Sequence, residues 1–193
     1  TIKSDKDDFK IDGGLWDGYT LWDLYESAHT PFDWQEKLFH HAAEIGIDCI
    51  STPFDETAVD LLESINIPFY KIASFEVTDL PLIEYIAKTK KPILMSTGMA
   101  NKSEIQEALD VIREYGCGDY VLLHCVSGYP TPADEMNLKT IKLLADTFDC
   151  EVGLSDHTLS NTVAIASISL GVKIIEKHFT LSRDDGGPDA AFS

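Results

Sequence analysis

The chain has 193 residues, 44% of them hydrophobic and 25% charged, enough apolar material for a packed core, and this excludes a disordered, collagen-like or disulfide-miniprotein chain. Lys and Arg number 15 against 33 Asp and Glu, and the formal charge of −18 repels phosphate backbones, so no nucleic-acid partner is expected. No stretch approaches the ~20 apolar residues of a membrane span, the start lacks a signal-peptide pattern, and Cys49, Cys117, Cys125 and Cys150 show no C-x-x-C spacing, which predicts a cytoplasmic protein with reduced thiols and no membrane partner.

In chain order, residues 1–47 predict an exposed loop, KSDKDDFKIDGG, then two amphipathic helices around Tyr19–Ala28 and Phe32–Ile45, without a strand. Six short runs rich in Val, Ile, Leu and Tyr follow: DCISTPF at 48–54, FYKIAS at 69–74, PILMSTG at 92–98, YVLLHC at 120–125, EVGLSDH at 151–157 and KIIEKHF at 173–179. Their starts lie 21, 23, 28, 31 and 22 residues apart, the length of one strand, one helix and two loops. Helix starts are marked by Asp55, by Asn101 with Glu104 three residues on, and by Ser160, while Gly116 and Gly171 mark ends.

A repeating strand and helix imply an α/β fold with a parallel sheet, either open and doubly wound or closed as a (β/α)8 TIM barrel. Neither G-x-G-x-x-G nor G-x-x-x-x-G-K-[ST] is present, which removes the usual support for the open sheet. Almost every strand closes on side chains able to do chemistry, as barrel strands do, so the barrel is preferred. With about six of eight βα units visible, residues 1–193 read as a partial TIM-barrel catalytic domain comprising strands 3–8, with two exposed sheet edges.

Two histidines stand out, His157 in SDHT and His178 in EKHFT, at the ends of consecutive strands. Neighbouring parallel strands run ~4.8 Å apart, so both imidazoles can reach one ion; two imidazoles plus water and substrate oxygens suit Mn2+ or Mg2+ better than a closed zinc site. The competing reading makes each a hydrogen-bonded core histidine. Lys71, inside an apolar strand, needs an anion: either a substrate phosphate or an acidic neighbour such as Glu176. Thr52, Ser74, Ser96, Thr97, Ser127 and Ser155 recur at strand ends and form either a ring of donors for a phosphate or a set of caps and turns. Glu76 and Asp189 stand in strand-end loops, where they either bond sugar hydroxyls or amides or remain solvated. His124 lines or fills the barrel, and His29, His40 and His41 are given no chemistry. No G-x-S-x-G, H-E-x-x-H or Ser-His-Asp set supports a hydrolase.

The ordered motifs STPFD, KIASFEV, STGM, HCVSGYP, GLSDHT, IEKHFTL and GGPDAAFS resemble the sialic acid synthase family, whose members condense phosphoenolpyruvate with an N-acylated amino sugar. The early segment GGLWDGYTLWDLYESAHTPFDWQEKLF and the ending GGPDAAFS look more like the pseudaminic-acid branch than the N-acetylneuraminic or legionaminic acid branches. The resemblance implies a metal pair, His157 and His178. It implies that Lys71, Ser74, Thr52, Ser96, Ser127 and Ser155 hold phosphate and carboxylate, and that Glu76, Tyr129 and Asp189 hold the acceptor. Lys71, Glu76 and His178 are then the candidate catalytic groups. Ser127 departs from the Asn of better-known members.

It further implies that a glutamate base and a second lysine precede Thr1, that an antifreeze-like domain follows Ser193, that the parent is a homodimer, and that these 193 residues alone are inactive or very weakly active. Two other function classes stay open: a metal-dependent aldolase or isomerase that needs no phosphoenolpyruvate, and a non-catalytic sugar-phosphate-binding barrel.

Overall fold

A computed structural model describes residues 2–193; Thr1 lies outside the described residues. Five parallel strands pair in sequence order: β1 (Tyr70–Ile72), β2 (Ile93–Ser96), β3 (Tyr120–Cys125), β4 (Glu151–Asp156) and β5 (Ile175–Lys177). Helices α1 (Leu21–Ala28) and α2 (Phe32–Ile45) precede α3 (Glu56–Ser64), and α4 (Leu80–Ala87), α5 (Lys102–Glu114), α6 (Lys139–Phe148) and α7 (Thr162–Ile168) occupy the crossovers. The result is the curled parallel arc of a TIM-barrel-type fold, a barrel fragment.

Strand parity fixes what each face sees. Tyr70, Ile72, Ile93, Met95, Leu122, Val152 and Leu154 point at the helices and join Val59, Leu62, Ile83, Ile86, Leu109, Ile112, Ile141 and Leu144 in one core. Each such side chain contributes about 1.5–3 kcal/mol when fully buried. The alternate residues Lys71, Ser96, Cys125, Ser155 and Glu176 line the concave face. Gly153 keeps β4 close to its neighbours, because a Cβ there would meet Leu123 Cδ2 at 2.5 Å and the Ile174 carbonyl at 2.7 Å.

Local signals set the helix ends. The Asp55 carboxylate accepts from Ala58 N at 2.9 Å, Asp79 accepts from Leu82 N at 3.1 Å, and Asn101 with Glu104 forms a complete capping box. Gly116 and Gly171 follow α5 and α7 with φ of 80° and 88°. The α7 N-cap is Asn161 rather than the expected Ser160, whose hydroxyl instead accepts from Thr162 N at 3.3 Å.

One expected strand does not form. Residues 48–54 run beside β1 in sequence without any ladder, so the sheet has five strands rather than six. A strand exists only through a hydrogen-bonded neighbour, and this segment ends at once in Pro53, which has no N–H to give. Lys10 and Thr20 make an isolated antiparallel bridge in the region expected to lack strands. Both edges are open among the described residues, as expected, and apolar side chains crowd the β5 edge, with Phe179 83% and Leu181 90% exposed.

Candidate active site

The concave face turns polar at the C-terminal ends of the strands. Lys71 from β1 is buried and meets Glu176 of β5 at 3.6 Å, while its ammonium also donates to the Ile72 carbonyl at 3.3 Å. Ser155 Oγ donates to the same Glu176 oxygen at 2.6 Å. The acidic partner considered for Lys71 is thus the one observed, and the buried cation is ion-paired on the concave face.

His157 directly follows β4 and His178 directly follows β5, and their ring centroids lie 5.3 Å apart. His157 Nδ1 is 2.9 Å from the Val126 carbonyl, which makes it the protonated nitrogen; His178 Nδ1 is 3.4 Å from Asp189 Oδ2. With both Nδ1 atoms so engaged, Nε2 remains as the ligand nitrogen of each ring. Among the described residues, no group of three or more His, Cys, Asp or Glu is arranged to hold a metal. Two imidazole Nε2 atoms therefore fit an open site whose remaining positions belong to water and substrate, and not a closed structural one.

Cys125 lies behind this pair, its Sγ 3.9 Å from His157 Nδ1. Burial pushes the Cys125 thiol up, but His157 together with the Ser74 and Ser155 hydroxyls more than reverses this and leaves it below its usual range. Burial likewise disfavours protonated His157, and Cys125 and the Val126 carbonyl turn the net shift upward.

Hydroxyls divide into satisfied and unsatisfied groups. Ser74 Oγ accepts from Gly98 N at 3.1 Å, and Thr97 Oγ1 donates to the Leu123 carbonyl at 3.1 Å, so Thr97 is a turn residue and not a free donor. Ser96 Oγ, Ser127 Oγ and Glu76 Oε2 are buried without any partner. A native interior rarely leaves such atoms unpaired unless water, an ion or a ligand satisfies them. Gly98 explains how Ser127 is kept clear, since a Cβ at residue 98 would stand 2.8 Å from Ser127 Oγ. Burial raises the Glu76 carboxyl above its usual range.

Thr52 is half-buried on the segment that forms no strand. His124 is corrected as well: its parity places it outside, where Nε2 meets the Met136 carbonyl at 2.6 Å beneath the helices, and it does not line the barrel. Tyr129 stacks near His157 with centroids 4.3 Å apart, and burial lifts its phenol to about 12. Sequence reasoning missed Trp16, Phe192 and Cys125. Phe192 sits in GGPDAAFS, 4.8 Å from His178 and 5.2 Å from Tyr129 by ring centroids, and Trp16 reaches Tyr129 at 5.9 Å.

A curled parallel sheet with paired imidazoles, an ion-paired lysine and unpaired buried hydroxyls at the C-terminal ends of its strands defines a barrel-type α/β protein. The NeuB family profile matches residues 1–193, and the chain belongs to the NeuB family. It is 44% identical to the pseudaminic acid synthase of Helicobacter pylori over all of this chain and 57% of that protein. It is 46% identical to an N,N'-diacetyllegionaminic acid synthase of Campylobacter jejuni over 80% of this chain and 47% of that protein. The crystal structure of an N-acetylneuraminic acid synthetase from Leptospira borgpetersenii superposes with a TM-score of 0.84 at 30% identity, over 89% of this chain and 60% of that one. The chain thus spans about half the length of the curated relatives it matches.

Proposed function

We propose that this chain forms the catalytic barrel segment of a pseudaminic acid synthase, which condenses phosphoenolpyruvate with 2,4-diacetamido-2,4,6-trideoxy-L-altrose and releases inorganic phosphate. The observation that carries the reading is the pairing of His157 and His178 over a mouth where Ser96 and Ser127 keep buried, unpaired hydroxyls. Similarity to pseudaminic acid synthases over all of this chain supports the choice of acceptor.

His157 and His178 would hold a divalent cation, Mn2+ or Mg2+, which when bound supplies Lewis-acid polarisation of the acceptor carbonyl. Lys71 exchanges Glu176 for the phosphate and carboxylate of phosphoenolpyruvate, and Ser74, Ser96, Ser127 and Ser155 complete their hydrogen bonding. Tyr129 and Asp189 orient the sugar, and Glu76, with its raised pKa, can hold a proton at Oε2 and donate it to the acceptor. The enol carbon then bonds to the aldehyde carbon, water adds at the former enol position, and the C–O bond to phosphate breaks. Holding both reactants in one mouth removes much of the entropic barrier. All four cysteines are free, which supports a reducing cytoplasm, and no helix among the described residues is long and apolar enough to cross a membrane. A homodimeric parent completes the proposal.

The test is phosphate release by the intact protein, required to depend on both phosphoenolpyruvate and the diacetamido sugar. Turnover without phosphoenolpyruvate rejects the synthase reading; turnover of N-acetylmannosamine alone rejects the acceptor and spares the reaction class.

A further inference from the structure

Polar groups gather on one side of the mouth, and the other side is aromatic. Its outermost ring comes from far upstream. Residues 10–20 fold back on themselves: Lys10 bridges Thr20, Ile11 N donates to the Tyr19 carbonyl at 2.9 Å, and Gly18 N donates to the Ile11 carbonyl at 3.0 Å. The tip closes through Gly13 N and Asp17 Oδ1 at 2.7 Å, with Gly13 and Gly18 at φ of 80° and 83°. Trp16 leaves this strap and is pinned by its indole N–H, which donates to the Pro188 carbonyl at 3.2 Å.

That bond decides what the indole can offer. Tryptophan has one donor and no acceptor, and here the donor is spent on Pro188. Trp16 then stands 5.9 Å from Tyr129 and 6.2 Å from Phe192, while Phe192 and Tyr129 lie 4.8 Å from His178 and 4.3 Å from His157. Phe192 has no polar group either. A sugar hydroxyl directed at the indole or at the Phe192 ring finds no partner there, whereas a methyl group is accommodated.

We infer that Trp16, on its strap, is a specificity-determining residue: backed by the buried Phe192 ring and beside the ring face of Tyr129, its indole forms an apolar wall near the imidazole pair that takes the deoxygenated, methyl-bearing carbon of an amino-sugar acceptor. This rests on the synthase reading above. An apolar pocket rejects an added hydroxyl by up to about 100-fold, so the intact protein prefers the 6-deoxy sugar over its analogue with a hydroxymethyl group by about 10- to 100-fold in kcat/KM.

Trp16→Ala lowers that ratio about tenfold, through KM for the acceptor, and leaves KM for phosphoenolpyruvate unchanged. Trp16→Phe restores the ratio, and Trp16→Gln, which puts an amide at the wall, moves it further toward the hydroxymethyl sugar. An unchanged ratio in both Trp16→Ala and Trp16→Gln, or an equal loss on both sugars with weakened phosphoenolpyruvate binding, overturns the wall while the synthase reading stands. Absence of turnover by the wild-type protein on either sugar removes the synthase reading and the wall together.

Discussion

Lys71 Nζ stands 3.6 Å from Glu176 Oε1, although Lys71 belongs to β1 and Glu176 to β5, the two edges of the sheet. Four strand spacings in a flat sheet amount to ~19 Å, beyond the combined reach of a lysine and a glutamate to this distance without curvature. The ion pair therefore records the curl of the barrel arc and poses a choice for the ammonium when an anion arrives. Lys71→Met should raise KM for phosphoenolpyruvate by about 10- to 150-fold, the worth of a hydrogen bond to a charged group at about 1.5–3 kcal/mol. Glu176→Gln, which leaves Lys71 without its competitor, should not raise it. Steady-state kinetics with varied phosphoenolpyruvate checks both.

The hydroxyls of Ser96 and Ser127 are predicted to oppose stability while serving binding. Each is buried without a partner, at a cost of about 1–3 kcal/mol. Ser127→Ala should leave urea unfolding unchanged or stabilise the fold by up to about 1 kcal/mol, and weaken phosphoenolpyruvate binding in the same protein. A loss of stability with unaltered binding would show the hydroxyl to be structural.

On the opposite face, Lys177 pairs with Asp156 at 3.0 Å, and the Asp156 side chain is wholly buried. Asp156 keeps only the Thr158 N–H when Lys177 is removed. Lys177→Met should destabilise by about 3 kcal/mol, as expected when one partner of a buried pair is lost. Adding Asp156→Asn should recover most of the loss, as read by denaturant midpoints at constant slope.

His124 supplies a pH signature separate from the chemistry. Burial depresses its pKa below the usual 6.5, and the hydrogen bond to Met136 only partly opposes this. The folded state then holds neutral His124 while the unfolded chain takes up a proton, so this contribution to stability is present above pH 6.5 and is lost as pH falls through that value toward the folded pKa. Wild type should therefore lose stability between pH 7.5 and 5.5 relative to His124→Gln, in which the curve flattens. Parallel curves for the two proteins would contradict the assignment.

Much of this was legible in the sequence because the chemistry follows strand parity. Ser155 and His157, and Glu176 and His178, are two residues apart on consecutive strands, so one parallel pairing brings all four to one face. The caps at Asp55 and Asn101 were readable for the same local reason. Segment 48–54 was not, because its composition suits a strand but pairing depends on a neighbour that a run of seven residues cannot reveal. Thr97 resembles Ser96 in sequence, and only the approach of the Leu123 carbonyl separates a turn hydroxyl from a free one. Trp16 and Phe192 meet across most of the chain, a contact no local pattern encodes.

The proposed chemistry requires one divalent ion shared by the His157 and His178 imidazoles. Electron paramagnetic resonance of Mn2+ titrated into the intact protein should show one saturable site, abolished in His157→Ala and in His178→Ala while both variants keep the wild-type circular dichroism spectrum. Undiminished Mn2+ binding by either folded variant would contradict it.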